Sequence, residues 1–304
     1  MEKVILFGLS HEAKRLFQIY GNENNQFDLN KWVIAIADNN KDLWDTAFNE
    51  KMIINPQKIM DYDYDKIVVC LSRTHAENVR KQLVCQYKIE ESKVSYLHEY
   101  LTLPQEKIDG CKLLVDRKSA LSCLEKNLVV AEVGVAFGGF TRKLLDIMKP
   151  RKFYAIDYFF ADNPYLINCG GMWNNPKFRG EGLTLLEFYK KRFQKEEENG
   201  ILEVKEGYSW EVLEKFEDDT FDYIYLDAAH DFESVSKDIN VIKKKIKTGG
   251  IVQFNDYGFI HADSKECCGV LPAVNKFLWE AKCEVLYYCI NGNGLDDLVV
   301  RIDK

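Results

Sequence analysis

The chain has 304 residues, 46% of them hydrophobic and 29% charged, and 41 basic residues against 48 acidic ones leave a net charge of −7. That length exceeds one small core and predicts two domains, and the balance is that of an ordinary soluble globular protein. The mildly acidic charge excludes the concentrated basic face of a nucleic-acid binder, and no apolar stretch approaches the length of a membrane span.

Residues 3–8 read as a buried strand and 11–20 as an amphipathic helix. Residues 32–40 form a second apolar strand that ends at Asp38; 65–72 form a third, 75–87 a helix, and 93–100 a short fourth strand. Apolar strands alternating with helices imply βαβ units and a parallel sheet. The pattern breaks over 102–112, around Pro104 and Gly110, which predicts domains of 1–108 and 109–304. A helix over 116–126 leads into the second domain. Strands follow at 127–134, 152–157, 201–207, 221–227 and 250–256, with helices at 141–148, 183–198, 209–216 and 233–246. Two antiparallel strands, 283–290 and 297–302, close the chain around a glycine-rich turn. The fold class is α/β, with two Rossmann-like doubly wound domains. The amino-terminal apolar run is too short for a signal peptide. Nine cysteines without a C-x-x-C pair suggest reduced thiols in a cytoplasmic protein.

The segment Ala131–Leu145 places Gly134, Gly138 and Gly139 between a strand and a helix. Such a turn lies at the carboxyl edge of a parallel sheet, where bare backbone admits a ligand and a helix amino terminus offers free N–H groups. Asp157 ends the next strand, where a ribose diol would lie. A packing turn would need the same glycines, but the pairing with Asp157 favours nucleotide-like binding.

A second constellation lies on the strands 221–227 and 250–256. Asp227 closes one; Asn255 and Asp256 close the next; His230 follows three residues after Asp227. Oxygen donors of this kind suit Mg²⁺ or Ca²⁺. Each residue has a bland alternative as a cap, a turn former or a helix-entry residue. The long irregular stretch 158–182 carries Tyr158, Phe159, Phe160, Tyr165, Trp173 and Phe178 among asparagines and glycines, the composition of a sugar-binding lid.

The run Glu132-Val133-Gly134-Val135-Ala136-Phe137-Gly138-Gly139-Phe140-Thr141, followed by Tyr154-Ala155-Ile156-Asp157, resembles the first two motifs of class I S-adenosylmethionine-dependent methyltransferases over about 127–304. The resemblance implies a seven-stranded sheet ending in an antiparallel strand. It implies a cofactor held by Glu132, Gly134, Ala136, Phe137, Gly138, Thr141 and Asp227. Asp157 would take both ribose hydroxyls with Tyr158 beside it, and Gly207, Tyr208 and Ser209 would lie near adenine. The motifs D-x-x-H-x-F-E at 227–233 and G-G-I-V-x-x-x-D-Y at 249–257 resemble a branch of metal-dependent sugar O-methyltransferases. There the matching residues imply a divalent cation, Mg²⁺, on Asp227, Asn255 and Asp256, and His230 as catalytic base beside Asp227. Ala229 and Asn255 depart from the acidic residues common at those places.

Residues 5–16 with 34–40 resemble a Rossmann-like module of sugar- and polysaccharide-modifying enzymes, read here as a scaffold or acceptor-binding domain. The expectation is therefore a cytoplasmic O-methyltransferase acting on a sugar or nucleotide-linked sugar, as a monomer or a homo-oligomer. The alternatives are an NAD-dependent nucleotide-sugar oxidoreductase or epimerase, for which no Y-x-x-x-K stands in the right context, and a non-catalytic assembly protein.

Overall fold

The computed structural model describes residues 2–21, 29–71, 73–159, 183–258, 268–292 and 294–304. They fall into two compact units. One comprises 1–104 with 231–233 and 260–279; the other comprises 105–230, 234–259 and 280–304.

The first unit is built on six strands: β1 (Val4–Phe7), β2 (Val33–Ala37), β3 (Ala47–Phe48), β4 (Lys51–Ile54), β5 (Lys66–Val69) and β6 (Val94–Tyr96), in the order β3-β4-β2-β1-β5-β6. All pairs are parallel except the β3–β4 hairpin. That hairpin is too short to show alternation in the sequence. Asp38, at the end of β2, accepts the backbone N–H of Leu9 at 2.7 Å and that of Asn40 at 2.7 Å. A Cβ on Gly8 would meet the Leu71 side chain at 2.8 Å, so that residue already fills the space a bare glycine leaves. The helix Val270–Glu280 also belongs to this unit almost entirely. Its Asn275 Nδ2 donates to the Tyr100 carbonyl at 3.2 Å, and Lys276 pairs with Glu99 at 2.6 Å. Pro272 stands in its first turn, where a missing N–H costs nothing.

The second unit carries β7 (Lys112–Leu114), β8 (Val129–Val133), β9 (Lys152–Asp157), β10 (Leu202–Glu206), β11 (Phe221–Leu226), β12 (Ile246–Phe254), β13 (Cys283–Cys289) and β14 (Asp297–Ile302). Their order is β10-β9-β8-β11-β12-β14-β13-β7, with β14 antiparallel to both β12 and β13. The sheet has eight strands where seven were expected. The extra one is the three-residue edge strand β7, which pairs with β13 and lies where the sequence shows no periodicity. Strands β8 and β11 are neighbours, yet the connection after β8 runs the other way, to β9. This is the switch point at which a parallel sheet opens a crevice at its carboxyl edge. Against the sheet, Val130, Leu144, Met148, Phe153, Tyr189, Phe193 and Tyr223 are buried together, each contributing roughly 1.5–3 kcal/mol by leaving water.

Candidate active site

The glycine loop and the acidic tip are held in contact by backbone. Gly134 follows β8, and its N–H donates to the Ile156 carbonyl at 2.8 Å. Asp227 follows β11, and its N–H donates to the Val133 carbonyl at 2.7 Å. Gly134 has φ +88°, and a Cβ there would stand 1.8 Å from the Asp227 carbonyl oxygen. Only glycine lets the two strand ends approach this closely. Gly138, at φ +73°, precedes the helix Gly139–Met148, and a Cβ on it would strike the Phe193 ring at 2.3 Å.

Asp157 closes the loop. Its Oδ2 accepts from the N–H of Val135 at 2.8 Å and of Ala136 at 2.9 Å, and its Oδ1 accepts from Phe159 N–H at 2.8 Å. A carboxylate has about four acceptor positions, so roughly one is left for a ligand hydroxyl in this arrangement, fewer than the two ribose contacts expected. Arg192 Nη1 donates to the Phe137 carbonyl at 2.6 Å and fixes the loop from the other side.

Beneath the loop, Glu132 and Thr141 are buried, at 1% and 0% exposure. Thr141 Oγ1 hydrogen-bonds the Glu132 carboxyl and lies 3.0 Å from the Tyr189 hydroxyl. Burial pushes the Glu132 carboxyl well above the ordinary range; Thr141 opposes the shift, and the charges of Asp227 and Asp157 add to it. Gly207 N–H donates to the Asp157 carbonyl at 3.0 Å, placing the turn after β10 beside that after β9. There the Tyr158 and Tyr208 rings stack at 4.6 Å, and Tyr208 stacks on Trp210 at 5.1 Å. Ser209 opens the helix Ser209–Glu214.

At the tips of β11 and β12, the His230 Nε2 lies 3.4 Å from Asp227 Oδ1 and 3.4 Å from Asp256 Oδ2. Burial raises the Asp227 carboxyl, against the hydrogen bond and charge of His230 and the charge of Arg117. Asp256, at φ +54°, is raised for the same first reason and further by Asp227. An imidazole between two carboxylates can take up a proton and keep the resulting charge balanced.

Asn255 lies elsewhere in the network than the sequence suggested. It is 3% exposed, and its Nδ2 donates to Asp297 Oδ1 at 3.1 Å. Its amide thus serves a buried carboxylate as a donor. Among the described residues no group of three or more His, Cys, Asp or Glu is placed to hold a metal ion. Of the expected cation set, Asp227 and Asp256 face the His230 imidazole, and Asn255 is tied through Nδ2 to Asp297.

Sequence reading missed the layer below. Asp297, fully buried, accepts from Gln253 Nε2 at 2.6 Å, Asn255 Nδ2 at 3.1 Å and Asn291 Nδ2 at 2.9 Å. Arg117 Nη1 donates to the Tyr225 hydroxyl at 2.8 Å, and its Nε lies 3.7 Å from Asp297. No local motif marks these residues, because strand order alone brings them together. The expected lid lies outside the described residues, except Tyr158 and Phe159.

A search of curated proteins finds no match. Among solved structures, the chain is similar to precorrin-6y C5,15-methyltransferase from Geobacter metallireducens GS-15, at 14% identity over 61% of this chain and 85% of that one, with a TM-score of 0.39. It is also similar to an rRNA methylase from Streptococcus thermophilus, at 13% identity over 61% of this chain and 93% of that one, with a TM-score of 0.40. A third is cofactor-bound Rv0187 from MTB, at 14% identity over 75% of this chain and 89% of that one, with a TM-score of 0.42. Residues 1–95 match the family described as C2185-like, N-terminal. Residues 131–257, which contain the glycine loop, Asp157, Asp227, His230 and Asp256, match the family described as Methyltransferase domain.

Proposed function

We propose that this protein is an S-adenosylmethionine-dependent O-methyltransferase that acts on a hydroxyl of a sugar or nucleotide-linked sugar. The observation that carries the reading is the approach of Gly134 to Asp227, which brings the glycine loop to the strand tip that carries a histidine 3.4 Å from two carboxylates.

S-adenosylmethionine supplies a methyl group already activated on a sulfonium. The loop 134–138, Asp157 and the aromatic pair Tyr158–Tyr208 are the residues that would hold it, with Glu132 and Thr141 supporting the loop from below. The chain's remaining tasks are to orient a hydroxyl oxygen toward that methyl and to remove its proton. Alignment supplies a large share of the barrier reduction in such a transfer. His230 takes the proton on its ring, and Asp227 and Asp256, each 3.4 Å from Nε2, stabilise the imidazolium that results. Negative charge develops on the hydroxyl oxygen as its proton moves to the ring, and the bond the oxygen would form to the transferred methyl discharges it.

The sugar part of the reading rests on aromatic side chains exposed beside the loop, Tyr158 at 42% and Tyr208 at 47%. A ring face of this kind suits the C–H face of a pyranose as well as a nucleobase.

Thermal-shift measurements with S-adenosylhomocysteine, NAD and UDP-sugars, each with and without Mg²⁺, test the proposal. S-adenosylhomocysteine at 100 times its dissociation constant should add about 2.7 kcal/mol of stability, independently of Mg²⁺. A shift with NAD and none with S-adenosylhomocysteine would replace this reading with an oxidoreductase.

A further inference from the structure

The described part of the second unit brings two cations to one partly exposed ring, with a third next to one of them in sequence. Arg117 opens the helix Arg117–Cys123, which is capped by Asp116 through the Ser119 N–H at 2.8 Å. The Arg117 N–H donates to Asn291 Oδ1 at 2.8 Å, so the residue is tied at its backbone as well as at Tyr225. Its Cζ stands 5.7 Å from the centroid of Phe140, in the first turn of Gly139–Met148. Lys143, one turn further along that helix, places its Nζ 5.7 Å from the same centroid. Lys118 neighbours Arg117 and lies 3.7 Å from Asp116.

This grouping is unexpected in a chain with a net charge of −7. Lys143 makes no ion pair among the described residues. Its ammonium is held below the ordinary lysine range, by burial first and then by the like charges of Lys118 and Arg117. Arg117 spends Nη1 on Tyr225, and Nη2 makes no hydrogen bond among the described residues. The charges opposing the cluster are Asp116 at its rim and Asp297 and Asp227 behind Arg117. Asp297 is already served by three amide donors. Cations kept close against their mutual repulsion, with donor edges unspent, form a receptor for a multiply charged anion.

We propose that Arg117 and Lys143, gathered around Phe140, with Lys118 next to Arg117, bind a phosphate or diphosphate group of the acceptor. The proposal rests on the methyl-transfer reading for the word acceptor, and on the cluster alone for the anion. It narrows the substrate class to a phosphorylated or nucleotide-linked sugar. Arg117 supplies a planar donor edge matched to phosphate oxygens, while Lys143 and Lys118 add point charges.

The test is calorimetric titration of the full chain, saturated with S-adenosylhomocysteine, with inorganic phosphate, pyrophosphate and UDP. Pyrophosphate or UDP should bind, with affinity falling as salt rises. Lys143→Gln should weaken that binding about tenfold, a loss equivalent to about 1.4 kcal/mol, and leave S-adenosylhomocysteine affinity unchanged. Arg117→Gln should weaken it further; where that variant fails to fold, Lys118→Gln with Lys143→Gln serves instead. Absence of binding by all three anions overturns the proposal, as does equal affinity in Lys143→Gln. Weakened S-adenosylhomocysteine binding with unchanged anion binding also overturns it, by assigning the cations to the cofactor's carboxylate. If wild-type protein binds pyrophosphate but not S-adenosylhomocysteine in a direct titration, the methyl-transfer reading fails and the anion site stands.

Discussion

A Cβ on Gly134 would lie 1.8 Å from the carbonyl oxygen of Asp227. The glycine at the end of β8 and the aspartate at the end of β11 therefore share one wall of the crevice, and neither can move without the other. The same approach aligns the loop that would hold a nucleoside with the tip that carries His230.

Gly134→Ala tests this directly. The new methyl meets backbone, which cannot rotate away, and φ +88° is itself strained for alanine. A loss of about 2–4 kcal/mol in unfolding free energy is expected from strain and overpacking together, read by urea denaturation. Stability within error of wild type would mean that the strand ends separate easily.

Asp157→Ala tests loop closure and ligand binding together. The side chain then carries no oxygen to accept from the N–H groups of Val135 and Ala136, as Oδ2 does. Leaving those donors unsatisfied should cost about 1–3 kcal/mol. Amide hydrogen exchange at Val135 and Ala136 should quicken selectively, and S-adenosylhomocysteine affinity should fall with it. Unaltered exchange at both amides would show that Asp157 does not close the loop.

His230→Gln removes the proton acceptor while keeping a polar side chain between Asp227 and Asp256. Once an acceptor is in hand, kcat should drop about 100- to 10,000-fold, with cofactor affinity changed little. Equal turnover would exclude His230 as the base.

Glu132→Gln addresses the buried carboxyl. The folded protein raises this group's pKa, mainly by burial, so its stabilising contribution is complete below the ordinary value of 4.5 and is lost as pH rises through the elevated one. The Gln variant should therefore melt near wild type below pH 4.5 and above wild type in neutral and alkaline buffer. A difference in Tm that does not vary with pH would show that Glu132 keeps an ordinary pKa.

The strand-helix alternation was legible because burial on both faces of a parallel sheet demands continuous apolar runs, as in β8 and β11. Gly134, Asp157, Asp227 and His230 were legible because each stands at the end of such a run, where local chemistry shows through. Strand β7, the β3–β4 hairpin and the helix Val270–Glu280 were not read from the sequence. The first two are too short to show a period, and Pro272 interrupts the helical pattern of the third.

The sequence by itself determined which residue types sit at the carboxyl edge and in what order along the chain. It could not determine their partners. That Asp157 accepts from two N–H groups of the loop, that Asn255 donates to Asp297, and that Arg117 meets Tyr225 across 108 positions all follow from the order in which strands pair. Hydrogen bonds and charges act over a few ångströms, so residues distant in sequence become partners only when the sheet has closed.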